Sequence, residues 1–178
     1  MKLTTRQITT TAVLLAICIV SQFFKNLSVY ITGPIINCCL ILVTLEAGLA
    51  CGIILSVITP ITAFLISGMP IVAAIPQIEP CIILGNIILV FFVYLLSKKK
   101  TGNVGIVLGM VIGSILKAAF MGIAISLFLI PSFLPAASPL FQKMHIFQIM
   151  FSMAQLLTAL IGSIYAFIIL IPLHKLFK

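Results

Sequence analysis

Lys117 is the residue of this sequence whose chemistry is hardest to account for as packing. It closes the stripe Gly105-x-x-x-Gly109-x-x-x-Gly113-x-x-x-Lys117, inside an otherwise apolar segment from Asn103 to Ile130. Steps of four keep side chains close to one face of a helix. Three glycines on that face let a neighbouring helix approach closely, as small residues do in lipid-embedded bundles. An ammonium group on the same face is costly in hydrocarbon, so it must face protein or water, as a ligand contact or as a structural ion.

Other polar residues sit in comparable places. Glu79 and Asn86 are seven apart and share a helix face. Asn37 lies one turn into another apolar segment. His145, Gln148, Ser152 and Gln155 fall at offsets zero, three, seven and ten, which is one helical stripe, with Thr158 or Ala159 and then Gly162 continuing it in small residues. Each residue alone is explained by an interhelical hydrogen bond worth about 1 kcal/mol or less. Their coincidence on several segments points instead to a shared pocket, with Lys117, Glu79, Asn86, Asn37, Gln148 and Gln155 as the expected substrate-binding set.

The chemistry on offer is recognition, not catalysis. No G-x-S-x-G, no H-E-x-x-H and no phosphate-cradling P-loop occurs, so neither hydrolysis nor ATP turnover is expected of this chain. The five cysteines, Cys18, Cys38, Cys39, Cys51 and Cys81, show neither C-x-x-C spacing nor neighbouring histidines, and read as small hydrophobes without a zinc site or a disulfide framework. No cofactor is implied.

The elements that must position these residues are membrane helices. The chain has 178 residues, 63% hydrophobic and 7% charged, where a soluble domain is about a quarter charged. Crossing the hydrocarbon core takes roughly 20 apolar residues. The segments that approach this length are about 8–24, 34–45, 48–67, 79–97, 103–130 and 144–173. The expected fold is therefore an all-α integral membrane protein with six transmembrane helices in one domain, 1–178. The first apolar run has no small-x-small cleavage pattern and reads as a retained span. Pro34 suits the start of the second span, which is then short for a full crossing. Thr59-Pro60 is expected to kink the third. The connection from Gly68 to Ile78 is Pro- and Gly-containing yet apolar, so it should fold back as a lid. A second Pro-rich connection runs from Pro131 to Lys143.

Charge sets orientation. Two acidic residues, Glu46 and Glu79, stand against ten lysines and arginines. Six spans put Lys2, Arg6, Lys98, Lys99, Lys100, Lys175 and Lys178 on one side and only Lys25 and Lys143 on the other, so both termini are expected in the cytoplasm. At 1.5 Å per residue, Lys117 then stands about 21 Å above the inner boundary, between Asn86 at about 16 Å and Glu79 at about 27 Å. That describes a pocket open to the outside and sealed below, in which the lysine stem reaches towards Glu79.

A chain of this length with six spans, both termini inside and a pocket between midplane and outer face resembles the substrate-binding S component of energy-coupling factor (ECF) transporters. Ala12-x-x-x-Ala16 in the first span matches that family's alanine motif. The connections at Lys25–Gly33, Gly68–Ile78 and Pro131–Lys143 fall where its first, third and fifth loops cap substrate. Ile31-Thr32-Gly33-Pro34-Ile35-Ile36-Asn37 and Ile83-Leu84-Gly85-Asn86 also resemble its wording. The resemblance implies capture of a water-soluble vitamin or precursor outside the cell. It also implies uptake with a transmembrane coupling subunit, contacted through Ala12 and Ala16, and two cytoplasmic ATPases, in a prokaryotic plasma membrane. Binding residues vary with substrate in that family, so only the alanine pair carries over by motif. Two other classes compete. A small secondary transporter working as a dimer would show inverted repeats, which are not evident. A lipid-modifying or accessory protein would need a polar interfacial set, for which only His145 and Glu79 offer themselves.

Overall fold

The computed structural model describes residues 3–24, 28–98, 103–135 and 138–176. Lys2, Lys25, Lys99, Lys100 and Lys178, part of the charge pattern that sets orientation, lie outside the described residues.

Every described element is helical. The chain forms α1 (Thr5–Gln22), α2 (Val29–Ala47), α3 (Leu49–Ser67), a short α4 (Pro70–Ala74), α5 (Ile78–Ser97) and α6 (Asn103–Met121). A π-helical stretch, Gly122–Leu129, and a last turn, α7 (Ile130–Phe133), prolong α6. After a 3₁₀ turn at Phe141–Lys143 come α8 (Met144–Phe151) and α9 (Met153–Leu176). Five stretches are long and apolar enough to cross a membrane: Val29–Ala47, Leu49–Ser67, Ile78–Ser97, Asn103–Phe133 and Phe141–Pro172. With α1 as the sixth long helix, six spans are compatible with this architecture.

Local chemistry sets the boundaries. Thr4 caps α1 in a reciprocal box with Gln7, whose amide also donates to Ala47 O at 2.9 Å and so ties the start of α1 to the end of α2. Ser28 caps α2 by accepting from Tyr30 N at 3.1 Å. This corrects the short second span. The helix begins at Val29, five residues before Pro34, and runs its full length to Ala47. Pro34 lies inside it, and only the Tyr30 carbonyl, in the first turn, loses a helical donor to it. The turn between α2 and α3 is Gly48 alone, at φ 92°. Such a φ favours glycine, and the single residue reverses the chain between α2 and α3.

α2 is the axis of the bundle. It packs on α1, α3, α5 and α9. Eight consecutive residues, Asn37 to Thr44, are buried, as befits a helix enclosed on all sides. The glycine stripe performs as its spacing requires: Gly105, Gly109, Gly113 and Lys117 are all buried, on the face of α6 that meets α5. A Cβ on Gly109 would lie 3.0 Å from Phe92 O, and one on Gly113 3.0 Å from Leu89 O. α5 and α6 thus touch backbone to backbone.

The apolar connection after α3 buries its large aliphatic side chains, while Pro70, Ala73, Ala74, Pro76 and Gln77 stay exposed. Ile71, Ile75 and Ile78 have no exposed surface and join Met121, Ile125, Leu134 and Phe151 in one cluster. The second connection starts later than Pro131, because the helix continues to Phe133 with Pro131 in its last turn. The final span is not one helix. Ser152, at φ −117° and ψ −87°, breaks it between α8 and α9.

α1 packs on α3 through Cys18, Cys51 and Leu55 and is also tied to it by a buried amide. Gln22 Nε2 donates to Thr59 O at 2.9 Å, beside Pro60, while Gln22 Oε1 has no hydrogen-bond partner among the described residues. Thr59 O also accepts from the Thr62 hydroxyl at 3.1 Å. Gln22→Met should therefore change stability by no more than about 1 kcal/mol, because the lost hydrogen bond is offset by removal of an unsatisfied buried oxygen. Melting of the two proteins in the same detergent checks this, and a loss of 3 kcal/mol or more would show that the amide is essential.

Candidate functional site

The sequence positions converge on Lys117. Its ammonium donates to Asn37 Oδ1 at 2.6 Å and to Asn86 Oδ1 at 2.8 Å. Three helices, α2, α5 and α6, meet in this one group. The three residues are 3%, 2% and 4% exposed for Lys117, Asn37 and Asn86, so the cation is withdrawn from bulk water and from lipid alike. An ammonium only donates, which orients both amides with their oxygens inwards. Asn37 then turns its nitrogen to Gly33 O at 3.0 Å, one turn back along α2. An isolated buried ion would cost several kcal/mol in desolvation, and the two amide dipoles offset part of that cost.

The fold delivers these side chains by close packing. Gly85 admits Met121 and the Lys117 stem beside α5, where an added Cβ would come within 2.8 Å of Met121 Cγ. Gly162 of α9 lies against Asn37 itself, and a Cβ there would be 2.7 Å from both Asn37 Cβ and Pro34 O. α9 therefore forms a flush floor under the asparagine.

Next to this cluster is a cavity of about 100 Å³. Lys117, Asn37, Asn86, Glu79 and Gln155 all line it, so five of the six residues expected from spacing share one site. Glu79 lines the same cavity as Asn86, and the hydrogen bonds of the lysine run to the two asparagines. Thr32 and Thr59 add hydroxyls, while Ile36, Phe64, Ile82 and Phe151 supply apolar walls. Met69 and Val72, from the connection after α3, close one side, which is where a lid belongs. Spacing alone does not single out Thr32, Phe64, Met69 or Phe151. The placement of the first beside Gly33 and Asn37, in the stretch that carried the family resemblance, was the available signal.

Gln148 is the exception. Its Nε2 donates to Ser126 O at 2.9 Å, and its own carbonyl accepts from Ser126 Oγ at 2.8 Å and Ser152 Oγ at 2.6 Å. The break at Ser152 divides the expected stripe, so that His145, Gln148 and Ser152 line a different recess and only Gln155 reaches the cavity. Gln155 in turn lies 3.5 Å from Met150 O, a carbonyl at the break. Ala12 and Ala16 are remote from the cavity and exposed on the outer face of α1.

In chemical terms, the site presents a cation already held by two acceptors, with a third N–H in hand, together with amides, hydroxyls and a carboxylate set among apolar walls. That suits a small solute with a polar or anionic end. Among the described residues no group of histidines, cysteines or carboxylates is arranged to hold a metal ion. Comparison with curated proteins and with solved structures gives no match. The family model for the substrate-specific component of ECF transporters matches residues 6–174, nearly the whole chain. A cavity with buried polar side chains on its wall, in an apolar helical bundle, agrees with this match, and the chain belongs to the family of substrate-specific components of ECF transporters.

Proposed function

We propose that this chain captures a small water-soluble vitamin or vitamin precursor outside the cell and carries it inwards together with an ATP-driven ECF module. The observation that carries the reading is the Lys117 ammonium, buried yet lining a cavity, and fixed there by Asn37 and Asn86. Intramembrane ionisable groups that face a cavity mark substrate paths. The cation favours a solute bearing a carboxylate or phosphate. Glu79, Asn86 and Gln155 provide the contacts for its remaining polar groups, and Asn37 holds the lysine. The small exposed face at Ala12 and Ala16 is the contact for the transmembrane coupling subunit, which two cytoplasmic ATPases drive. Both termini lie in the cytoplasm of a prokaryotic cell, on the side where lysines and arginines concentrate.

The test is thermal unfolding of the detergent-solubilised protein against a panel of vitamins and precursors, with Asn86→Ala in parallel. A compound present at 100 times its dissociation constant stabilises the fold by about 2.7 kcal/mol. One compound is expected to raise the melting temperature of the wild type and to lose most of that effect in Asn86→Ala. A well-folded protein that no compound of the panel stabilises would sink the vitamin assignment.

A further inference from the structure

The break at Ser152 gives one stretch of chain two faces. Met150, Phe151 and Gln155 line the cavity, while Gln148, Ser152 and Met153 line a second recess, between α6 with its π-helical extension and α8–α9. This recess is larger, about 570 Å³, and open to the surface. Its rim is formed by exposed apolar residues, among them Ile123, Leu127, Ile149 and Met153. In a membrane helix that rim faces hydrocarbon.

Two observations decide what fills it. The Gln148 side-chain nitrogen and the Ser126 and Ser152 hydroxyls already have main-chain partners, through the hydrogen bonds joining Gln148, Ser126 and Ser152. The recess therefore offers a dry, apolar slot, suited to an alkyl chain and poorly suited to a polar solute. His145 lines one end, and Lys143, exposed two residues earlier and outside the lining, places a positive charge where the span Phe141–Pro172 begins. The end of a span lies at headgroup level, and basic residues there attract anionic lipid.

We infer that this recess is a binding site for one anionic phospholipid, an acyl chain lying along Ala119, Ile123 and Ile149 and the phosphate meeting Lys143 and His145. The surrounding bilayer supplies the occupant at high concentration, so the site needs no dedicated partner.

Native mass spectrometry tests this on protein released from nanodiscs of equal phosphatidylglycerol and phosphatidylcholine. The wild type is expected to retain one phosphatidylglycerol after other lipids are stripped. Ala119→Phe, which fills the slot from an exposed position, should lose it. Lys143→Gln should lower the preference for phosphatidylglycerol over phosphatidylcholine about fivefold, the effect of one basic residue near the surface. This exposed change carries the test alone if Ala119→Phe fails to assemble. Retention of the lipid by a folded Ala119→Phe, an unchanged headgroup preference in Lys143→Gln, or a wild type that keeps no lipid overturns the proposal. So does a dimer of this chain that Ala119→Phe dissolves, which would make the recess a contact between copies.

Discussion

Gly162→Ala is expected to destabilise the bundle by about 1–3 kcal/mol, the usual cost of forcing extra volume into a packed interior. The methyl group would arrive 2.7 Å from Asn37 Cβ and from Pro34 O, and 3.0 Å from Cys38 N. Two of these three neighbours are backbone atoms of the central helix, so no side chain can rotate aside to make room. α9 must move away from α2, or Asn37 must move with its hold on Lys117. Solute binding should therefore weaken along with stability. Gly122→Ala is the contrast. Its Cβ would meet only Ser152, at an ordinary 3.4 Å, and it should melt close to the wild type. Thermal unfolding of the three proteins in one detergent decides. Equal melting temperatures for Gly162→Ala and wild type would mean that the α2–α9 contact is looser than it looks.

A second large effect concerns affinity. Lys117→Met preserves the length and apolar stem of the side chain and deletes its charge. Truncating one partner of a buried, hydrogen-bonded charge pair costs 2–5 kcal/mol. At 1.4 kcal/mol per tenfold, the affinity for an anionic solute should fall by at least about 30-fold. The fold itself should change little, within about 1 kcal/mol, for two opposed reasons. Removing a buried cation relieves its desolvation. The two amide oxygens left behind line the cavity, where water can reach them. Calorimetric titration with the compound found by the melting screen, beside the melting curve of the empty protein, separates these quantities. Binding within threefold of wild type would make the ammonium a structural ion and leave recognition to the amides.

Much of the candidate site's lining was legible because helical spacing and membrane depth are simple geometry. The four-residue stripe placed Gly105, Gly109, Gly113 and Lys117 on one buried face. Rise per residue put Lys117 between Asn86 and Glu79, and all three do line one cavity. What depth could not supply was the rotation that lets α2 bring Asn37 to the lysine, because nothing in the spacing says which helices are neighbours. Pro34 misled, since a proline is tolerated early in a helix, and Ser28 was the better marker of the start. Gln148 was misplaced for a different reason. The stripe assumed an unbroken helix, and Phe151-Ser152-Met153 contains neither proline nor glycine to announce the break. The wider turns of Gly122–Leu129 were equally silent in the sequence, because the π-helical stretch is as apolar as the α-helix it extends.

The paired asparagines have a consequence for entropy. A lysine free in a cavity samples many rotamers, and immobilising such a side chain on binding costs about 0.5–1.5 kcal/mol. Tethered at 2.6 and 2.8 Å, Lys117 is arrested before any solute arrives. An ammonium has three N–H groups, so one remains, aimed by the other two. A solute that accepts this proton meets a preorganised donor and orders nothing, which is worth up to about tenfold in affinity over a wandering lysine in the same place.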